Sequence, residues 1–270
     1  MPSPLVTLTT DYGAGSGYPA QLKGVLLSAV PDLRIVDVSH GVPPYDLVAG
    51  ALLLEACLPA FPIAAIHLAV VDPGVGTGRR ALCVVDPAGR RLVGPDNGLL
   101  TPFLGEGARV YHLIDPALVP LPRLATFHGR DLFAPVAAAL ALGVPPGRLG
   151  PLVDDPVRLE WPVVERSPGQ VRGTTLTVDS FGNLITSIRE ADLAGAEVRV
   201  ALCDGRQARW VRTFGDGQPG ELLALMGSGG RVEVVVREGS AAAHLHRWRG
   251  VVVRLLLGGA GTLGAAGSPC

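Results

Sequence analysis

The sequence predicts an α/β N-terminal domain, a parallel or mixed sheet with flanking helices, followed by a smaller all-β, antiparallel, barrel-like C-terminal domain. In the first half, strand-like and helix-like segments alternate, which is typical of strands joined by crossover helices. Past the midpoint the segments become short and β-rich and are separated by turn residues, as in small antiparallel sheets or barrels. The predicted boundaries are 1–150 for the N-terminal domain, 151–168 for a linker, 169–257 for the barrel and 258–270 for a flexible tail.

Apolar patterning predicts the elements of the first domain in order. Residues 5–10 form a β-rich run, and residues 18–30 carry apolar side chains at helical spacing. Further strands are predicted at 34–38, 64–71, 82–85 and 91–93, and further helices at 46–57 and 132–142. A Pro-Ala-Gly turn between the last two strands predicts a hairpin.

The second half has a different composition. Residues 151–168 are rich in proline and lack helical periodicity, which predicts a linker. Strands are predicted at 174–178, 184–188, 198–203, 232–236 and 251–257. The last residues are rich in Gly, Ala and Ser, so we expect a frayed tail.

Composition excludes several classes of protein. Across 270 residues, 23 Lys and Arg balance 24 Asp and Glu for a net charge of -1, which argues against nucleic acid as the principal partner. Hydrophobic residues make up 48% and charged residues 17%, which excludes disorder. No apolar run reaches the roughly 18–20 residues that span a bilayer, and no basic segment opens a signal peptide, so we expect no membrane partner. Cys57, Cys83, Cys203 and Cys270 lie far apart without ligand spacing, as expected of buried thiols in the cytoplasm.

Polar residues cluster where predicted strands end. Asp11 follows the first strand, Asp72 follows the most apolar strand, Asp96 follows another, and His128 precedes a helix. Ligands of open α/β sheets bind outside the carboxyl ends of strands, so this pattern predicts one site there. Each residue also has a plainer interpretation, because Asp before Pro-Gly or Asn-Gly often only forms a turn and a lone His is often structural.

Five motifs occur in a fixed order: TTDYG at 9–13, VDPGVGT at 71–77 with Arg79, GPDNG at 94–98, TFHGRD at 126–131 and DSFGN at 179–183. Together they resemble the S-adenosylmethionine (SAM) hydroxide adenosyltransferases, or SAM hydrolases, which are relatives of the SAM-dependent fluorinases and chlorinases. The resemblance covers about residues 4–257. It implies an N-terminal α/β domain joined to a β-barrel, and a homotrimer with SAM bound at the subunit interfaces.

The resemblance implies metal-independent hydrolysis of SAM without a cofactor: water or hydroxide attacks C5′ and gives adenosine and L-methionine. The sulfonium leaves as a neutral thioether, so the chemical demand falls on water, whose pKa is about 15.7. The family meets that demand with an Asp–Arg–His set, which Asp72, Arg79 and His128 match. We expect Arg79 to stabilise hydroxide character, while Asp72 and His128 orient the water and take its proton. Which of the two is the base is left open, and His128 followed by Gly129 favours a hydrolase over a halogenase.

The resemblance also implies the residues that bind the substrate. Asp11 matches the carboxylate that takes the ribose hydroxyls, and Tyr45 matches an aromatic wall near the ribose. Asp179 matches the acid that meets the methionine ammonium. The remaining matches are adenine-side contacts at Phe181, Asn183 and Phe214, and a methionine-carboxylate contact at Ser228. The family's usual Asn-Ser-Ser-Gly-Tyr is GSGGR at 227–231, so we expect altered geometry at the methionine end.

Two other classes of function stay open on the residues alone. Asp11, Asp72, Asp96 and His128 are good ligands for a divalent metal, which points to a metal-dependent hydrolase of a nucleotide-like substrate. Loss of activity with a chelator would support that class. A non-catalytic protein that binds SAM or adenosine would instead show binding without turnover.

Overall fold

A computed structural model describes residues 3–258 of the chain. These residues form two compact units that divide between Leu159 and Glu160. The stretch before the division belongs to the first unit, where Leu152 bridges Tyr111 and Arg158 bridges Gly98. The predicted tail lies, except for its first residue, outside the described residues.

The first unit contains a mixed sheet, as predicted, with six strands, of which Arg109–His112 was not predicted. Its strands are β1 (Leu5–Thr10), β2 (Arg34–Ser39), β3 (Ile66–Val70), β4 (Ala81–Val85), β5 (Arg91–Pro95) and β6 (Arg109–His112). Their order across the sheet is β2-β1-β3-β5-β4-β6. β1, β2, β3 and β5 pair in parallel, and the β4–β5 hairpin and β6 pair antiparallel. The carboxyl ends of the four parallel strands therefore meet at one edge.

Helices flank this sheet on both faces. They are α1 (Tyr18–Ala29), α2 (Leu47–Cys57) and α3 (Ala134–Ala141), with a π-helical turn at Gly129–Phe133 and 3₁₀ turns at Leu58–Ala60, Thr101–Phe103 and Pro146–Arg148. Alternation along the strands separates two cores: Val6 and Leu8 pack with α1 and α3, whereas Ala69 packs with α2. The predicted helix at 132–142 is thus the end of the π-helical turn followed by α3.

The second unit is a closed barrel of seven strands with an eighth strand at its side. The strands are β7 (Glu165–Ser167), β8 (Gln170–Val178), β9 (Leu184–Arg189), β10 (Val198–Cys203), β11 (Arg206–Trp210), β12 (Leu222–Met226), β13 (Arg231–Val236) and β14 (Val252–Leu257). The order is β14-β10-β11-β12-β13-β9-β8-β7, and pairing of β14 with β8 closes the ring. All pairs are antiparallel, as predicted, except the parallel pair β11–β12. Short helices α4 (Glu190–Leu193) and α5 (Ala241–Leu245) and a 3₁₀ turn at Phe214–Asp216 connect the strands.

The barrel core is built from the inward-facing side chains of its strands. Val171, Leu184, Val234 and Val253 are each at most 2% exposed and belong to one apolar cluster. Across residues 3–258, none of the helices is both long and apolar enough to cross a membrane.

Candidate active site

A cavity of about 600 Å³ opens in the first unit at the carboxyl ends of β1 and β3. Its wall includes Asp11, Tyr45, Asp72 and His128, four of the residues singled out in the sequence. The volume lies within the roughly 300–1,000 Å³ that is usual for pockets holding small molecules. The structure thus brings these four together, although they are far apart in the chain.

The loops after β1 and β2 are tied to each other, and this fixes Asp11. The backbone N–H of Gly13 donates to the carbonyl of His40 at 2.8 Å, and Nδ1 of His40 lies 2.8 Å from the hydroxyl of the buried Thr10. The backbone N–H of Tyr45 donates to Oδ2 of Asp11 at 3.0 Å. Tyr45 itself takes a positive φ of 65° and is 71% exposed at the cavity wall.

The loop after β3 folds back so that Arg79 returns to Asp72. A turn begins at Asp72, whose carbonyl accepts from the N–H of Val75 at 3.2 Å. Gly76 has a φ of +77°, and a β-carbon there would lie 2.8 Å from the carbonyl oxygen of Ala125. Only glycine fits this close approach, which explains why the VDPGVGT motif carries a glycine at this position.

Asp72, Arg79 and His128 form one hydrogen-bonded set. Nε of Arg79 lies 3.0 and 3.1 Å from the two carboxylate oxygens of Asp72, and its Nη2 also donates to Oδ2 of Asp72. The same Nη2 lies 2.9 Å from Nδ1 of His128. The side chains of Asp72 and Arg79 are only 5% and 9% exposed, and Arg79 rests against the ring of Phe133. Arg79 is not part of the cavity wall, so it meets the cavity only through its two partners.

This contact fixes the protonation of His128. A guanidinium can only donate, so Nδ1 of His128 accepts and the hydrogen of the neutral ring sits on Nε2. Burial and the charge of Arg79 lower the pKa of His128 below its usual value, and the nearby carboxylates of Asp72 and Asp131 offset this only in part. His128 therefore meets the cavity as a neutral hydrogen-bond donor at neutral pH.

Three aromatic residues in the cavity wall were missed by the sequence reasoning. Tyr12, Tyr18 and Phe127 meet edge to face, with ring centroids 5.3 to 5.8 Å apart. Two of them lie inside quoted motifs, Tyr12 in TTDYG and Phe127 in TFHGRD. That recurrence of aromatics beside the polar residues was the available signal.

Asp96 and its neighbour Asn97 have structural partners instead. Asp96 accepts from Nε of Arg80 at 2.7 Å and from the N–H of Val157 at 2.7 Å. The side-chain amide of Asn97 donates to the carbonyl of Val71 at 2.9 Å. Asp96 is not in the cavity wall, so the four residues of the metal hypothesis are not assembled. Within residues 3–258 no group of three or more His, Cys, Asp or Glu is arranged to hold a metal ion.

Asp179 and Asn183 lie together in the turn between β8 and β9 of the second unit. Oδ1 of Asp179 accepts from the N–H groups of Phe181 and Asn183, both at 2.9 Å. Its Oδ2 accepts from the side-chain amide of Asn183 at 2.9 Å. Gly182 closes the turn with a φ of +85°. Phe181 is 77% exposed, so the turn presents an aromatic residue to its surroundings.

Phe214 and Ser228 lie on two other turns of the second unit. Phe214 begins the 3₁₀ turn before β12 and is 47% exposed, and Ser228 is exposed between β12 and β13. Arg231, at the end of the altered segment, is 5% exposed. Its guanidinium donates to the carbonyl of Ser187 at 3.2 Å and lies over the ring of Trp161.

Comparisons with known proteins agree across both units. Residues 6–150 match the family model of the SAM hydroxide adenosyltransferase N-terminal domain, and residues 173–254 match that of the C-terminal domain. The chain is 44% identical over 246 residues to an "(R)-S-adenosyl-L-methionine hydrolase" of Salinispora tropica, covering 89% of this chain and 93% of that one. It is 28% identical over 293 residues to a fluorinase of Nocardia brasiliensis, covering 94% and 97%. A crystal structure of a conserved protein from Thermotoga maritima superimposes with a TM-score of 0.85 at 31% identity, covering 93% and 99%.

Proposed function

Because the chain belongs to the SAM hydroxide adenosyltransferase family, we propose that it hydrolyses S-adenosyl-L-methionine to adenosine and L-methionine by attack of water at C5′. It is an enzyme of the SAM hydrolase kind, as its relatives at 44% identity are. The observation that carries the proposal for this chain is the Asp72–Arg79–His128 set at the cavity wall.

Asp72 is the proton acceptor in this proposal. His128 is a poor candidate, because its Nδ1 is engaged by Arg79 and its Nε2 already carries the hydrogen. A carboxylate oxygen of Asp72 instead accepts a hydrogen bond from the water and then its proton. As the bond to C5′ forms, the O–H groups of the water become strongly acidic, so a carboxylate is basic enough to take one of these protons.

His128 and Arg79 have supporting roles. The Nε2–H of His128 donates to one lone pair of the water, which leaves the other lone pair for attack. Arg79 is a positioning residue: it touches Asp72 and His128 rather than the cavity, and it holds both in fixed orientation. The C5′–S bond breaks as the C5′–O bond forms, and its electron pair stays on the sulfur of methionine.

Substrate binding extends the proposal. In the first unit, Asp11 accepts hydrogen bonds from the ribose hydroxyls, and Tyr45 packs near the ribose. Both lie in the cavity wall, which supports these roles. In the second unit, Asp179 meets the methionine ammonium and Ser228 its carboxylate. Phe181, Asn183 and Phe214 contact the adenine, a role that the exposed rings of both phenylalanines support.

We further propose a cytoplasmic homotrimer in which SAM binds where neighbouring copies of the chain meet. The exposed Phe181 and Phe214 of the second unit are aromatic residues that a neighbouring copy and the substrate would cover. The free thiols of Cys57, Cys83 and Cys203 fit a reducing compartment. Light scattering or sedimentation of the purified chain tests the trimer: a mass near three times 27.9 kDa supports it, and a stable monomer contradicts it.

The reaction is tested with chelator-treated protein and SAM in halide-free buffer. We expect adenosine and methionine in equal amounts, with label from heavy-oxygen water on the 5′ oxygen of adenosine. Activity that the chelator abolishes and a divalent metal restores would replace the metal-independent route with a metal-dependent one. SAM bound without turnover would make the chain a binding protein.

A further inference from the structure

The hydroxyl of Tyr12 lies against Gly129, the residue that follows His128. A β-carbon built on Gly129 would lie 2.2 Å from this hydroxyl oxygen, so the phenol sits directly over the α-carbon of the residue that follows His128. Edge-to-face contacts hold the ring against Tyr18 and Phe127 at 5.8 and 5.6 Å between centroids. The backbone is held as well, because the N–H of Tyr12 donates to the hydroxyl of Thr10 at 3.2 Å.

This hydroxyl has no hydrogen-bond partner among residues 3–258, yet it belongs to the cavity wall. Tyrosine hydroxyls normally have a hydrogen-bond partner, either in the protein or in a molecule that reaches them. The partner of this hydroxyl is therefore water or another group that enters the cavity. Burial and the carboxylates of Asp11 and Asp72 raise the pKa of Tyr12, so the phenol stays protonated and transfers no proton.

The hydrogen-bond geometry of an attacking water shows how it fits as the partner of the Tyr12 hydroxyl. A water has four tetrahedral directions, namely two hydrogens and two lone pairs. In the proposed function one lone pair attacks C5′, the other accepts from His128, and one hydrogen is directed to Asp72. The second hydrogen remains without an acceptor, and a tyrosine oxygen has two lone pairs to offer.

We infer that the oxygen of Tyr12 accepts the second hydrogen of the attacking water and, with Asp72 and His128, fixes its orientation. This inference rests on the proposed function. The tyrosine forms no covalent bond and keeps its own proton, because the proton released in the reaction goes to Asp72. Its contribution is orientation of the nucleophile, so it acts on kcat rather than on the binding of SAM.

The test is Tyr12→Phe, which keeps the ring contacts and removes only the oxygen. We expect kcat to fall roughly three- to tenfold, as for one lost hydrogen bond, with KM for SAM within about twofold of the wild type. Tyr111→Phe is the matched control: this tyrosine packs on the same core but lies outside the cavity wall, and we expect no change in kcat.

Gly129→Ala adds a test of where the hydroxyl sits. Its methyl group meets the Tyr12 oxygen at 2.2 Å but the next ring atom only at 3.2 Å, so the substitution should impair kcat less in the Tyr12→Phe background than alone. Wild-type kcat in Tyr12→Phe, or a raised KM with unchanged kcat, overturns the inference while leaving the hydrolysis intact. Wild-type protein that fails to hydrolyse SAM in the same assay overturns the proposed function itself.

Discussion

The candidate residues of the two units are held in opposite ways. In the first unit, the side chains of Asp72 and Arg79 are buried and bound to each other, and Arg79 also contacts His128. In the second unit, the carboxylate of Asp179 accepts hydrogen bonds from its own turn, and Phe181 is 77% exposed. Bond-forming chemistry needs side chains fixed to a fraction of an ångström, whereas recognition of a flexible amino-acid moiety tolerates a surface that is completed on binding. This contrast agrees with the proposed function, in which the chemistry lies in the first unit and much of the recognition in the second.

Asp72→Asn gives the largest expected effect. The amide cannot take the proton of the water and leaves Arg79 without its buried counter-charge, so we expect kcat to fall at least about 100-fold. Steady-state hydrolysis of SAM measures this directly.

Asp96→Asn is the matched control for that substitution. Asp96 forms a similar ion pair with Arg80, the residue that follows Arg79, and the side chain of Asp96 is 2% exposed. The substitution removes the charge of that pair. We expect a lower melting temperature with kcat largely retained. Equal loss of activity in both variants would mean that the first unit needs its ion pairs only for folding.

The next largest expected effect is the loss of kcat/KM at acid pH. Burial and Arg79 place the pKa of His128 below 6.5, and a proton on Nδ1 would point at the N–H of Arg79. The neutral ring is the active form, so kcat/KM stays level down through pH 6.5 and then falls, approaching tenfold per pH unit below the folded pKa.

The stability of the fold is also expected to fall at acid pH. The unfolded chain protonates His128 from about pH 6.5 downward while the folded chain does not, so the free energy of unfolding falls as the pH drops below 6.5. His112→Asn is the control for the acid limb of kcat/KM. Burial and Arg80 also lower the pKa of His112, but this residue lies in β6 outside the cavity wall. An acid limb centred at or above 6.5 in the wild type would contradict the assignment.

Asp179→Ala tests the second unit. Loss of the carboxylate removes the partner proposed for the methionine ammonium, so we expect KM for SAM to rise about tenfold with a smaller change in kcat. Asp192→Ala is the control, because Asp192 likewise accepts from a backbone N–H, that of Arg189 at 2.7 Å, and has no proposed contact with SAM. A fall in kcat with unchanged KM in Asp179→Ala would move part of the chemistry into the second unit.

The sequence anticipated the fold because alternating apolar runs and turn residues are local signals. It anticipated Asp72, Arg79 and His128 because they lie in motifs of fixed order, and the structure brings them together. It did not single out Tyr12, since the place of its hydroxyl depends on Gly129, which lies 117 residues further along the chain. It also missed the strands β11 and β12, whose parallel pairing is set by the closure of the ring rather than by local pattern.

Arg231 shows a second limit of sequence reasoning, because a charged residue in the altered segment 227–231 was expected to change the methionine end of the site. Its side chain has partners within the second unit. The guanidinium donates to the carbonyls of Thr186 and Ser187 at 3.4 and 3.2 Å and lies 5.5 Å from the ring centroid of Trp161. Thr186 and Ser187 lie in β9 of the barrel, so these hydrogen bonds tie Arg231 to the second unit.

Arg231→Met should therefore have the smallest effect on catalysis. We expect the free energy of unfolding to fall by about 1–3 kcal/mol as buried carbonyls lose their donor, with KM for SAM within about twofold of the wild type. Arg209→Met, which removes an exposed ion pair to Glu221, should cost at most about 1 kcal/mol and serves as the control. Chemical denaturation and steady-state kinetics on the same preparations separate the two readouts. A marked rise in KM for Arg231→Met would show that the binding surface of the second unit depends on a buried charge, and the contrast between a preformed first unit and an adaptable second unit would no longer hold.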